Sequence, residues 1–286
     1  MKTLLPRPFV LAVAMVAVVT VRSRAQEVQT PPAAPPPAHA THGHEPQGTG
    51  ENKTLPNLSE RRDWPEPVSD NAIYRYSLLE ITEFQSARDA PNAFRWDVYG
   101  WRGGDIHRFW WKSEGRIATA TSEGSEFEAQ ALYGKLISPY FDLQAGMRVD
   151  QRLREGSDPT RVYAVIGLQG LSPYRFDIEP SLFVSHKGQV SARLTASLDL
   201  LLSQRLILQP RLETNLAVQG DEEIGIAAGW NDAELGVRVR YEMRREFAPY
   251  VGLTWKESFG ATHRLTTQEG GDPSHFVVVV GARMFF

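Results

Sequence analysis

From residue 73 to the end of the chain, polar and apolar side chains alternate with a period of two. The clearest run puts Glu234, Arg238, Arg240 and Glu242 on one face and Leu235, Val237, Val239, Tyr241 and Met243 on the other. A helix would spread those charges around its circumference, whereas a strand separates them. From Ser191 to Leu202, Arg193, Thr195, Ser197 and Asp199 oppose Ala192, Leu194, Ala196, Leu198 and Leu200. The pattern returns around Arg211, Glu213 and Asn215, and around Asp142, Gln144, Arg148 and Asp150. It predicts about twelve strands, near 73–86, 93–102, 106–115, 125–136, 140–152, 161–170, 175–185, 189–202, 205–217, 230–243, 247–258 and 275–286. Their lengths are close to the about 9–11 residues of tilted membrane-spanning strands.

A soluble sandwich also alternates, so the connections decide. Gly103-Gly104-Asp105, Ser138-Pro139, Leu171 to Tyr174, Ser203-Gln204 and Arg244 to Glu246 are tight, while Arg154 to Thr160, Gln219 to Gly229 and Phe259 to Ser274 are long. Short turns at one end, long loops at the other and an even strand count predict an all-β, antiparallel transmembrane barrel over 72–286. With Phe286 outward, Phe276, Val278, Val280, Ala282 and Met284 face lipid, and Gly281 and Arg283 face the lumen. One Arg misplaced at the bilayer midplane costs roughly 2–4 kcal/mol, so a one-residue slip would be prohibitive. The lumen this register produces carries both signs of charge and reads as narrow and ion-paired, with some of those charges available to line a solute path.

The N-terminus adds a route to the membrane. Lys2 and Arg7 precede an apolar run from Phe9 to Val21, followed by Ser23-Arg24-Ala25. These are the three parts of a secretory signal, with cleavage expected after Ala25. Residues 26–71 contain Pro31-Pro32-Ala33-Ala34-Pro35-Pro36-Pro37 and lack apolar periodicity, so they read as a disordered periplasmic tail. Hydrophobic content of 42% is ordinary, as expected when only one strand face is apolar. A net charge of −3 supplies no basic field for nucleic acid. With no cysteine, disulfides and thiolate metal sites are excluded.

Two blocks carry a resemblance. The first is Trp101-Arg102-Gly103-Gly104-Asp105-Ile106-His107-Arg108-Phe109-Trp110-Trp111-Lys112-Ser113-Glu114-Gly115. The second runs Leu235 to Glu242, then Arg244 to Gly252, Trp255 and Phe259-Gly260. From about Asp70 to Phe286 the chain resembles the copper resistance protein B family of outer-membrane proteins. That resemblance implies binding copper or passing it across the bacterial outer membrane, with a periplasmic multicopper oxidase as a partner. Family members often carry a Met- and His-rich tail; here the tail after Ala25 has no Met.

His39, His42 and His44 in the tail are the first candidate copper ligands, because imidazole nitrogens on a flexible segment suit Cu(II). His186, His263 and His275, at or near the long-loop end, are a second set that an entrance site would use. Solvated, incidental histidines are the blander reading of both. Glu80, Glu83, Asp97, Glu114, Glu126 and Glu128 offer oxygen ligands, though pairing with Arg75, Arg108 and Lys112 is the simpler use. Met147 and Met243 fall on the lipid parity, His107 reads as interfacial, and Trp96, Trp101, Trp110 and Trp111 read as anchors or packing. A barrel hydrolase would need Ser and His paired on one strand face. No Ser lies two residues from any barrel histidine, so an enzyme is not expected. The competing reading is a general narrow channel or structural barrel without a copper role.

Overall fold

The computed structural model describes residues 72–88, 91–119, 124–153, 160–221, 225–268 and 271–286. The expected signal segment and tail, with boundaries at 25 and 71, lie outside the described residues. The strands are β1 (Tyr74–Ala87), β2 (Ala93–Gly103), β3 (His107–Ala118), β4 (Ser125–Ser138), β5 (Phe141–Leu153), β6 (Thr160–Ser172) and β7 (Phe176–Ser185). Then come β8 (Val190–Leu198, resuming after Asp199 as Leu200–Leu201), β9 (Leu206–Ala217), β10 (Gly229–Tyr241), β11 (Phe247–Ser258) and β12 (Ser274–Phe285). Both pieces of β8 pair with β9, so they form one stave. Each strand pairs antiparallel with the next, and β1 closes on β12 from Leu78↔Phe285 to Ala87↔Val277. Closure gives the ladder no free edge, which is what a hydrocarbon surround demands of a sheet.

Alternation sets the two faces. On β12, Phe276, Val278 and Val280 are 63%, 55% and 56% exposed, whereas Val277 and Val279 are 4% and 0%. The register expected from Phe286 is therefore the register observed. The exposed residues form a belt that includes Met147, Ile166, Leu182, Leu253 and Val278. Exposed aromatics flank it: Phe109, Tyr133, Tyr140, Tyr174 and Phe247 at the tight-turn end, Phe84, Phe94, Trp230 and Phe276 at the other. An apolar belt between two aromatic girdles is the surface of a transmembrane barrel. Trp96 and Trp111 lie on this outer face, each over a glycine of the neighbouring strand. A Cβ on Gly115 would sit 2.3 Å from the Trp96 ring, and one on Gly100 would sit 2.2 Å from Trp111.

Irregularities on β1 and β7 reshape the wall. Pairing of β1 with β2 shifts between Leu79 and Ile81, and its pairing with β12 shifts between Leu79 and Glu83. This bulge carries an extra residue, so Glu80 lines a lumen cavity while Ile81 and Glu83 are also buried inward. Strict alternation places either Glu80 or Glu83 inside, never both; a bulge re-aims one of them. On β7, Pro180 has no N–H to donate, and the ladder to β6 is interrupted between Ile178 and Ser181.

The stretch expected to be a long loop after Phe259 contains a helix, α1 (Gly260–Gln268). It has no buried residue, and it is braced by Thr266 and Thr267 hydroxyls donating to the carbonyls of Thr262 and His263. Without a buried face it has no apolar stripe at helical spacing, which is the signal sequence reading depends on. The Phe259 ring lies 4.6 Å from Trp230, which ties the helix entrance to β10.

Candidate functional site

The inward side chains of all strands form one candidate site, the lumen. Arg95 on β2 reaches across it. Its guanidinium donates to Glu234 on β10 at 2.5 Å, to Glu213 on β9 at 3.0 Å and to Glu114 on β3 at 3.0 Å. Arg193 on β8 bridges Glu114 and Glu128, each at 2.9 Å, and Arg148 on β5 joins Glu128 and Asp150. Arg211 pairs with Glu213 and Asp97, Lys256 with Glu234, and Lys112 with Glu179. These bonds tie opposite walls together, so the lumen is narrow and largely filled. Deep between β1, β10 and β11, Arg238 donates twice to the fully buried Glu83, at 3.0 and 3.1 Å. Gln85 and the Tyr250 hydroxyl donate to the same carboxylate.

Sequence reading put Arg238, Arg240 and Arg283 inward beside Glu234 and Glu242. All five do face the lumen, but the partners differ. Arg238 uses Glu83, Arg240 uses Asp199 at 2.7 Å with Glu242 only at 4.0 Å, and Arg283 stands 3.9 Å from Asp199. Parity along a strand fixes which side chains face the lumen, but the partner each one takes is set by closure, which brings inward side chains of non-adjacent strands within reach.

One side of the lumen is apolar instead. Trp110, Leu132, Tyr163, Val165 and Phe183 form a buried cluster, with Tyr99 and Trp101 packed against it. Cations cover it: Arg148 lies 4.4 Å from the Phe183 ring centroid, and Arg108 lies 4.6 Å from that of Trp101. Trp101 and Trp110 are thus lumen packing, while Trp96 and Trp111 belong to the lipid face.

Cavities open at three levels along the axis. At the loop end a vestibule of about 410 Å³ is lined by Asp150, Asp232, Glu257 and His275, above the Arg95 and Arg193 bridges. At mid-lumen a cavity of about 50 Å³ is bordered by Glu80, Asp97, Asp177 and Glu179, with Lys112, Arg193 and Arg211 among its cations. Glu80 and Asp177 have no ion-pair partner among the described residues. At the tight-turn end a third cavity, of about 180 Å³, lies among Arg240, Arg245 and Arg283.

Of the candidate ligands, His39, His42 and His44 lie outside the described residues. His186 sits in the turn after β7, with Nδ1 at 3.3 Å from the Val162 carbonyl. His263 is on α1, with Nδ1 at 3.2 Å from the Ser258 carbonyl, and His275 opens β12, with Nδ1 at 3.2 Å from that of Asp272. Of these three histidines only His275 lines the vestibule. Among the described residues no three His, Cys, Asp or Glu side chains are gathered as a metal cage. His107 stacks on Tyr133 at the turn-end girdle, its Nδ1 2.5 Å from the hydroxyl. Glu114 and Glu128 are in the lattice, Glu126 pairs with Arg152, and Met147 and Met243 point outward. Asp177 and Glu179 were not singled out from the sequence. Their signal was present in the alternation Phe176-Asp177-Ile178-Glu179, but neither belongs to a recognisable motif.

Comparison with known proteins follows the barrel closely. Residues 73–286 match the family model described as copper resistance protein B precursor. Copper resistance protein B of Escherichia coli is 42% identical over 219 residues, covering 77% of this chain and 72% of that protein. A copper resistance protein B homolog of Pseudomonas syringae pv. tomato is 40% identical over the same shares. Among solved structures, the NanC porin aligns over 74% of this chain and 100% of its own, with TM-score 0.48 and 11% identity. The KdgM porin aligns over 74% and 99%, with TM-score 0.43 and 11% identity.

Proposed function

The chain belongs to the copper resistance protein B family, and from that premise we propose that it binds copper and passes it across the bacterial outer membrane. In this reading the tight-turn end and the N-terminal tail face the periplasm, where His39, His42 and His44 capture the ion beside a multicopper oxidase. The protein acts as a binder and passage, not as an enzyme.

The observation that carries the reading is the mid-lumen cavity. Glu80 and Asp177 present carboxylates with no ion-pair partner among the described residues, next to Asp97 and Glu179. Carboxylate oxygen is an acceptable ligand for a divalent ion, and two uncommitted carboxylates are where a cation can rest without breaking a pair. His275 gives the vestibule at the opposite end an imidazole. The test is a strain lacking the protein, complemented with the parent or with Glu80→Gln/Asp177→Asn. The double variant is expected to assemble normally and to leave copper tolerance and cell copper as in the empty strain. Full complementation by the double variant would overturn the passage through these carboxylates.

The bridges from Arg95 and Arg193 favour a second reading, a barrel that anchors the tail and conducts nothing. Planar-bilayer recording with copper as the only permeant cation separates the two, because the anchor gives no copper-dependent current.

A further inference from the structure

The cavity at the tight-turn end has the opposite character to mid-lumen. Its charged lining is Arg240, Arg245 and Arg283 against Glu242, with Tyr76, Leu78, Ala248 and Phe285 completing the wall. Asp199 answers Arg240 at 2.7 Å and stands 3.9 Å from Arg283. Three cations therefore face two acids at the cup itself, while Glu80 of the mid-lumen cavity also attracts Arg283. The Arg240 side chain is 1% exposed, yet among the described residues its Nε and Nη1 have no hydrogen-bond partner, and neither does Nε of Arg283. Buried guanidinium donors left unmatched are costly, and an apolar wall strengthens their pull on any anion that enters.

We propose that this cup, formed by Arg240, Arg245 and Arg283, is a binding site for a small oxyanion, a carboxylate or a phosphate. The planar guanidinium fork matches both. At about 180 Å³ the cavity has room for an anion of succinate or phosphate size. Tyr76 and Phe285 give it one flat, apolar side, which suits the methylene face of a dicarboxylate. Asp199 and Glu242 hold the guanidinium groups in place, and the unmatched donors of Arg240 and Arg283 remain for the ligand. The site stands on its own lining and does not depend on whether copper crosses the barrel.

The full chain in detergent micelles is titrated calorimetrically with succinate and, separately, with phosphate, at constant ionic strength set by chloride. One saturable site is expected for at least one of the two, and the tighter anion identifies the ligand class. Arg283→Gln and Arg245→Gln are each expected to weaken it by about tenfold, the loss of one charge-assisted contact. Heat-modifiable gel mobility reports folding of each variant. Arg245 lies on the exposed turn between β10 and β11, so its variant remains informative if Arg283→Gln assembles poorly. No saturable binding of either anion, or unchanged affinity in folded Arg245→Gln, would overturn the site.

Discussion

Replacing Arg238 with Met tests the inward register where the lumen is most tightly built. Arg238 and Glu83 have side chains 2% and 0% exposed, and two bonds of 3.0 and 3.1 Å join them. Met retains the aliphatic stem that packs against Gly252, where an added Cβ would meet Arg238 Cγ at 2.9 Å. The substitution therefore removes charge more than volume. Glu83 is left with only Gln85 at 2.9 Å and the Tyr250 hydroxyl at 3.1 Å. Removing one partner of a buried pair costs about 3–5 kcal/mol, whereas replacing both is close to neutral. The double variant Glu83→Gln/Arg238→Met keeps an acceptor for Tyr250 and leaves no buried charge, so it should recover to within about 1 kcal/mol of the parent. The assay is equilibrium urea unfolding in phospholipid vesicles, followed by tryptophan fluorescence and by the folded-to-unfolded gel shift. A single variant losing under about 1 kcal/mol, or a double variant no better than the single, would refute the buried pair.

Three other outcomes bear on the membrane face, the topology and the tail. Val280→Arg, on a residue 56% exposed in the apolar belt, should cost roughly 2–4 kcal/mol in the same unfolding assay; a neutral result would mean that face is not in lipid. Cysteines introduced between Phe259 and Ser274 should react with an impermeant maleimide on intact cells, and reaction only after outer-membrane disruption would reverse the orientation. Alanine at His39, His42 and His44 should lower Cu(II) bound by the purified protein while leaving barrel assembly intact. Binding by the parent should weaken as pH falls through about 6.5, because protonated imidazole has no lone pair for the metal; parent-like binding in the triple variant would make the tail a linker.

The barrel was legible because a membrane barrel repeats one constraint on every strand. Twelve segments, their inward and outward faces, and the C-terminal register all follow from period-two alternation, and β10 and β12 show it most cleanly. What was not legible depends on contacts across the lumen. Alternation places Arg95 and Glu234 on inward faces, but only closure brings β2 opposite β10 and joins them. The bulge at Glu80 was hidden for a related reason: Leu79, Glu80 and Ile81 contain no Gly or Pro to mark a break. Helix α1 was missed because it buries nothing. The family resemblance supplied copper, which the alternation alone does not contain.

The lumen's ion pairs bear on function as much as on stability. Buried pairs contribute little net stability because desolvation offsets their attraction, and apolar side chains would fill the same space at lower cost. What charges provide is a register that cannot slip, since Arg95, Arg148, Arg193, Arg211, Arg238 and Arg240 each meet an acid on a particular other strand. They also define where a passing cation meets resistance. An ion between the vestibule and mid-lumen meets Glu114, Glu128, Glu213 and Glu234 already held by Arg95, Arg148, Arg193 and Arg211. To bind there it must displace a guanidinium from a water-poor site. At Glu80 and Asp177, which have no ion-pair partner among the described residues, it breaks no ion pair. Under the proposed function, the bridged layer is therefore the barrier and the mid-lumen carboxylates are the resting point.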